Sequence, residues 1–164
     1  MDLQNLVADY ATKNAHGTEI DLASLARNEE FRQEVIEEVL KYIAKHSGAC
    51  VLLPSYGIVA NRNTHLCALT NELAAKIAIK TLVTGEAEGI TNLRKLPEDV
   101  IIIKQAFRTG EHLAKDVEIL QQHGCNVCVL CLVAHSSAHL QNFGHRYNVD
   151  ISALVKVDEI RYLQ

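Results

Sequence analysis

Short apolar runs and longer amphipathic stretches follow one another along this chain. Val100–Ile103 is a run of four β-branched residues, and Cys125–Val133 is almost uninterrupted in its apolar character. Such runs are typical of strands buried on both faces, whereas apolar residues spaced three or four positions apart indicate the buried face of a helix. The predicted strands lie at 49–53, 79–83, 100–103, 125–133 and 151–157, and the predicted helices at 2–14, 29–46, about 64–77, 111–122 and 137–147.

The alternation of strands and helices predicts the fold class. Apolar strands separated by helices form a parallel sheet with helices on both faces. We therefore expect a single α/β domain over 1–164, with an N-terminal helical segment (1–48) and an α/β core (49–164). Ligands of such sheets bind at the carboxyl ends of the strands. Three strand ends are candidates: 54–57, 104–110 and 134–139.

The stretch 100–113 carries the clearest chemical signal. Its apolar run stops at Lys104, and Thr109 and Gly110 then interrupt the chain before a helix. The first amides of a helix have no partner within it, and the helix dipole adds partial positive charge there. Gly110 lets the backbone approach a ligand, the Thr109 hydroxyl can donate a hydrogen bond, and Arg108 adds a fixed positive charge. These features predict a phosphate-binding loop, although the same spacing fits an ordinary turn capped by Thr109.

Composition and charge narrow the function classes. The 164 residues are 48% hydrophobic and 22% charged, as is typical of a globular protein. A net charge of −4 gives no general attraction to nucleic acid or anionic membranes, and no apolar run reaches the roughly 20 residues that span a bilayer. The start, Met1–Asn5, lacks the basic and apolar regions of a signal peptide, and the five cysteines are an odd number. We expect a cytoplasmic protein with reduced thiols, and neither nucleic acid nor a membrane as partner.

Two clusters of metal-ligating residue types have simpler explanations. Cys125, Cys128 and Cys131 are spaced three apart on a predicted strand, so that successive thiols point to opposite faces and are expected in core packing. His135, His139 and His145 fit a solvent-facing loop, although His135 and His139 would share a face and could hold a metal if 135–139 were helical. We expect no metal ligands here. His135, Ser136 and Ser137 follow the end of a core strand, so that contact with the base of a nucleotide remains an alternative role for them.

The order and spacing of these elements resemble the type I phosphoribosyltransferases, and orotate phosphoribosyltransferase most. Val100–Ile103 matches the signature strand of that family, Thr109–Gly110 its phosphate loop and Leu113 the following helix. Cys50–Gly57 resembles the first core strand and the loop that contacts pyrophosphate. The resemblance covers about 18–160 and implies a three-layer, Rossmann-like parallel sheet flanked by helices.

The chain departs from the family pattern at the residues that carry the chemistry. The family's acidic pair, which holds the ribose hydroxyls of phosphoribosyl pyrophosphate, is replaced by Lys104 and Gln105, and the second glycine and the serine of its loop by Glu111 and His112. A cation beside the positive charge that develops on the sugar works against transfer. The ligand-binding residues that the resemblance implies are Arg108, Thr109, Gly110, Glu111, His112, Ser55, Tyr56 and Gly57, with His135, Ser136 and Ser137 on the base side.

The resemblance with these departures leads to two main hypotheses. The first is a relative that binds phosphoribosyl pyrophosphate or a nucleotide at 100–113 with weak or no transferase activity. The second is an active enzyme of pyrimidine nucleotide biosynthesis or salvage, which would transfer 5-phosphoribosyl to a base and use Mg²⁺. The resemblance implies a homodimer in either case, and a purely structural role in a dimer stays open as a third function.

Overall fold

A five-stranded parallel sheet forms the centre of the fold in a computed structural model, which describes residues 3–14, 17–25, 27–46, 50–53, 72, 76, 82–84 and 98–159. Its neighbouring strands run in the order β4-β3-β5-β6-β7, and every adjacent pair is parallel. This architecture confirms the predicted α/β fold class. The strands are β3 (Cys50–Leu53), β4 (Leu82–Thr84), β5 (Asp99–Phe107), β6 (Asn126–Ala134) and β7 (Asp150–Lys156).

The N-terminal segment is not wholly helical. Helix α1 ends at Ala8, and the predicted helix 2–14 is therefore wrong in its second half. The chain instead forms an antiparallel hairpin, in which Ala11 pairs with Ile20. The hairpin supplies backbone hydrogen bonds that outweigh the weak helical periodicity of these few residues. The elements here are α1 (Leu3–Ala8), β1 (Ala11–Asn14), β2 (Gly17–Ile20), α2 (Leu22–Leu25) and α3 (Glu29–Ala44).

Local signals at the helix ends match the structure closely. The side chain of Asn28 accepts a hydrogen bond of 3.1 Å from the amide of Phe31 and caps α3. After β5 and β6 come α4 (Glu111–Gln122) and α5 (Ser137–Tyr147), both with the predicted bounds. Gly124 has φ +80°, the left-handed conformation expected after a helix end. Of the helix predicted at about 64–77, only Glu72 and Lys76 are described, and both are helical; the remainder lies outside the described residues.

Helices cover both faces of the sheet. On one face, Ile101 and Ile103 pack with the buried side of α1 and α3. On the other face, Ile102 packs with Leu113 and Val117 of α4. Alternate residues of β5 thus serve opposite layers, as its unbroken apolar run predicts. Burying each such side chain contributes about 1.5–3 kcal/mol, so that β5 anchors both layers.

The strand order places a ligand crevice beside β5. Of the core strands, β3 comes first in the chain, and it lies between β4 and β5. The order therefore reverses between β3 and β5, and in doubly wound sheets ligands bind at such a switch point, outside the carboxyl ends of the strands. The end of β5 lies at this point, as does the end of β3, where the predicted residues Ser55, Tyr56 and Gly57 lie outside the described residues.

Candidate functional site

Strand β5 continues beyond the predicted end of its apolar run. It runs to Phe107, with Lys104 opposite Cys131 and Phe107 opposite Ala134 in the neighbouring β6. The prediction that the strand stops at Lys104 was wrong, because the ladder to β6 carries polar residues as readily as apolar ones. Lys104 and Gln105 therefore belong to the strand, and the turn comprises only Arg108 to Gly110.

Gly110 determines the shape of this turn. It has φ +76°, a left-handed conformation that side chains disfavour, and it occupies the N-cap position of α4. A Cβ atom here would lie 2.8 Å from Cε2 of Phe107 and 2.9 Å from Cδ2 of Phe143. The close approach that this glycine permits is thus one between backbone and the protein's own aromatic rings. The alternative of a turn capped by Thr109 was wrong, since the cap residue is Gly110.

The N-terminus of α4 carries no side-chain cap. The carbonyl of Gly110 accepts a 2.7 Å hydrogen bond from the amide of Ala114, which closes the first helical turn. No side chain at the cap position accepts from the amides that follow. Arg108 and Thr109 are exposed beside them, as are Glu111 and His112. The cap position therefore supplies no acceptor to the first amides of α4, and Arg108 and Glu111 are the opposite charges exposed beside them.

Lys104 is half-buried on β5, near Cys131 and Asp116. Burial lowers its pKa, while Cys131 on β6 and Asp116 on α4 act in the opposite direction. Asp116 is only 3% exposed, and burial raises the pKa of the Cys131 thiol to about 12. Asp116, on the helix that follows, thus favours the charged form of Lys104, although burial outweighs it. The side chain of Gln105 is outside what the structure describes.

The polar residues after β6 make contacts within the protein. The hydroxyl of Ser136 accepts from the amide of His139 at 3.3 Å and caps α5. Ser137 donates from its amide and its hydroxyl to the two carboxylate oxygens of Asp158, at 2.9 and 2.8 Å. Slight burial acts to raise the pKa of Asp158, but these hydrogen bonds and Lys156 outweigh it and lower that pKa overall. The base-side role of His135, Ser136 and Ser137 stays a prediction, and the structure shows helix anchoring for the two serines.

A cleft of about 370 Å³ opens between the first turn of α4 and the outer side of α5. Sequence reasoning missed the half of it that α5 contributes. The only available signal was the spacing of His139, Asn142, Phe143 and Arg146, which places them on one helix face. That signal becomes meaningful only once α5 is known to pack beside α4. The lining residues are Thr109, Gly110, Glu111, Ala114, His139, Asn142, Phe143, Arg146 and Tyr147.

The cysteines separate as the strand geometry predicts. Cys125 and Cys131 are buried in the layer of α4 and α5, whereas Cys128 lies against Tyr42 of α3 on the opposite face. All three are free thiols. Among the described residues, no group of three or more His, Cys, Asp or Glu is arranged to hold a metal ion. None of the helices described is both long and apolar enough to cross a membrane.

Comparison with solved structures gives extensive matches. Orotate phosphoribosyltransferase of Aeropyrum pernix superposes with a TM-score of 0.64 at 16% identity, over 96% of this chain and 96% of that one. Adenine phosphoribosyltransferase of Leishmania donovani gives 0.67 at 10% identity, over 98% and 82%. Orotate phosphoribosyltransferase of Mycobacterium tuberculosis, solved with inorganic phosphate, gives 0.58 at 9% identity, over 96% and 95%.

Comparisons at the level of sequence find no relatives. No family model matches the chain, and no curated protein matches it significantly. The similarity is therefore one of overall fold. The chain has the type I phosphoribosyltransferase fold, which confirms the resemblance to that group, orotate phosphoribosyltransferases included, at the level of architecture.

Proposed function

We propose that this protein binds a phosphoribosyl- or nucleotide-type ligand at the turn between β5 and α4, with weak or no transferase activity. The proposal includes a cytoplasmic homodimer and no nucleic-acid partner. One observation supports it above the others: the amides at the start of α4 lie at the sheet's switch point, beside a left-handed glycine and without a side-chain cap. That arrangement suits the oxygens of a phosphate group.

The fold comparison supports the same ligand class. Phosphate was present in the structure of the Mycobacterium tuberculosis protein, which shares this fold. In the present chain, Arg108 and Thr109 are exposed beside the uncapped amides and are available to a phosphate. Glu111 opposes that charge, so that we expect modest affinity for phosphate alone.

The replacement of two acids supports weak or absent transfer. Phosphoribosyl transfer develops positive charge on the sugar, and Lys104 brings a cation near the strand end where the resemblance places an acid. A hydrogen bond to a charged group is worth about 1.5–3 kcal/mol, so that losing two would reduce the rate by two orders of magnitude or more. Asp116 favours the charged form of Lys104, and with Lys104 and Gln105 the end of β5 lacks the paired carboxylates that the resemblance leads one to expect.

Calorimetry with phosphoribosyl pyrophosphate, with and without Mg²⁺, tests the proposal. We expect binding that Mg²⁺ changes by less than about threefold, since two carboxylates that would serve the metal are absent. We also expect no pyrophosphate release with orotate, uracil or adenine. Binding that requires Mg²⁺, together with turnover of one of these bases, would establish the active enzyme instead. No binding under either condition would reject both.

A further inference from the structure

The cleft between α4 and α5 has the dimensions and the walls of a ring-binding site. Its volume of about 370 Å³ falls within the roughly 300–1,000 Å³ typical of small-molecule sites. Two aromatic rings of α5 contribute to it, Phe143 and Tyr147, with centroids 4.6 Å apart and planes tilted by 40°. The guanidinium of Arg146 lies 5.5 Å from the centre of the Tyr147 ring. Phe143 itself is buried, so that a planar ligand would contact the half-buried Tyr147 ring and the exposed Arg146 guanidinium.

Polar groups around the cleft suit the edge of a nucleobase. The exposed side chain of Asn142 offers an amide donor and an amide acceptor, the pair that matches the neighbouring donor and acceptor of a base. His139 and Arg146 add basic groups on the same wall, and Glu111 adds an acceptor on the opposite wall. Ala114 is the small residue that keeps the space between the helices open.

The cleft is continuous with the turn to which we assign the phosphate. Thr109 and Gly110 of the turn, and Glu111 at the start of α4, also line the cleft. A ligand whose phosphate lies at the turn therefore has a path for its ring that leads along α5. This position differs from the crevice outside the strand ends, where ligands of doubly wound sheets generally bind.

We infer that the ring of a nucleotide-type ligand lies in the cleft between α4 and α5, with Asn142 and Arg146 as the residues that recognise it. The inference rests on the proposed function for the phosphate position and adds where the ring lies. It assigns ring recognition to α5 rather than to the strand ends at 54–57 and 135–137.

Calorimetry with ribose 5-phosphate, UMP and AMP separates the ring from the rest of the ligand. All three carry a ribose phosphate, and only the last two carry a base. We expect at least one nucleotide to bind ten-fold or more tightly than ribose 5-phosphate. Ala114→Leu fills the cleft and should abolish that gain while it leaves the affinity for ribose 5-phosphate within two-fold. Gln122→Leu, an exposed residue at the far end of the same helix, is the matched control and should change neither.

A second variant guards against a folding defect in Ala114→Leu. Asn142 is exposed, so that Asn142→Ala should keep the melting temperature and weaken nucleotide binding by about five-fold without changing the affinity for ribose 5-phosphate. If the nucleotide gain survives both variants, or if no nucleotide outbinds ribose 5-phosphate, the ring does not lie in the cleft, although the proposed phosphate site still stands. If none of the three ligands binds, both proposals fail.

Discussion

At the scale of single residues, Gly110 shows how a weak sequence signal acquires a definite meaning. Its presence in a strand-to-helix turn predicted a backbone that comes close to a ligand, whereas the structure places the rings of Phe107 and Phe143 against it. These two rings form an edge-to-face pair with centroids 5.5 Å apart. The glycine therefore joins β5, α4 and α5 at one point, which holds the candidate site in shape.

Substitution of this glycine provides the first prediction. Gly110→Ala adds left-handed strain and a Cβ within 3 Å of two rings, and together these should lower the free energy of unfolding by about 2–5 kcal/mol. Gly124→Ala is the matched control, because φ is also positive but nothing lies within 4 Å of its Cβ. The control should lose only about 1–2 kcal/mol. Urea unfolding measures both, and equal losses would show that the rings do not constrain the turn.

Lys104 and Asp116 provide the second prediction, which concerns stability. Each single variant, Lys104→Met or Asp116→Ala, removes a charge that acts on the other in a buried setting. We expect the double variant to be more stable than the sum of the two losses implies, with a coupling free energy of about 1–3 kcal/mol. A double-mutant cycle in urea measures this coupling. Additive losses would mean that the two charges do not interact.

The third prediction concerns variants that place acids at positions 104 and 105, where the resemblance leads one to expect them. Lys104→Asp with Gln105→Asp should strengthen Mg²⁺-dependent binding of phosphoribosyl pyrophosphate, but it leaves a second carboxylate near Asp116. Adding Asp116→Ala removes that repulsion and should increase both the stability and the Mg²⁺ effect. Calorimetry with and without Mg²⁺ compares the two variants. Identical Mg²⁺ responses in wild type and both variants would show that the pocket was lost for other reasons.

At the scale of elements, α5 is held to the end of β7 by a carboxylate. Asp158, in the turn after β7, accepts two hydrogen bonds from the first residue of α5, and Glu159 lies 3.3 Å from the same hydroxyl. A negative charge at a helix N-terminus stabilises the helix. The N-terminus of α5 is thus occupied by the protein itself, whereas no such side chain caps α4.

This contact has a pH signature, which is the fourth prediction. The pKa of Asp158 in the fold lies below its ordinary value of 3.8, so that its stabilisation is complete above about pH 5 and is lost as the pH falls through the folded pKa. The stability difference between wild type and Asp158→Asn should therefore be constant near neutral pH and shrink below about pH 4. Thermal unfolding from pH 3 to 7 measures it. A stability difference that stays the same over this range would show that the charge of the Asp158 carboxylate does not stabilise the fold.

Elements were predictable where one local signal was strong. Capping and burial act within a few residues, so that such signals can be recognised in the sequence. The Asn28 cap predicted the start of α3, the apolar run predicted strand β6, and Gly124 predicted the end of α4. The hairpin of β1 and β2 was missed since pairing between strands is not a local signal. The polar end of β5 was missed for the same reason, because β6 determines it.

At the scale of the whole molecule, the alternation of elements sufficed to predict the fold, and the similarity to phosphoribosyltransferases of known structure confirms it. The candidate site was predictable only in part. The turn at 108–110 was visible because glycine and threonine interrupt the pattern, whereas the cleft with Asn142 and Arg146 required the packing of two helices. The electrostatic interaction of Lys104 with Asp116 likewise depends on how β5 packs against α4, which cannot be predicted from the sequence alone.

Binding of a phosphate group at the turn after β5 can be followed through amide NMR shifts during a titration with inorganic phosphate. We predict saturable shifts centred on Glu111, His112 and Leu113, whose amides begin α4. The amide of Ser137, which already donates to Asp158, should not shift and serves as an internal control. Saturable shifts elsewhere, or none at millimolar phosphate, would contradict the account.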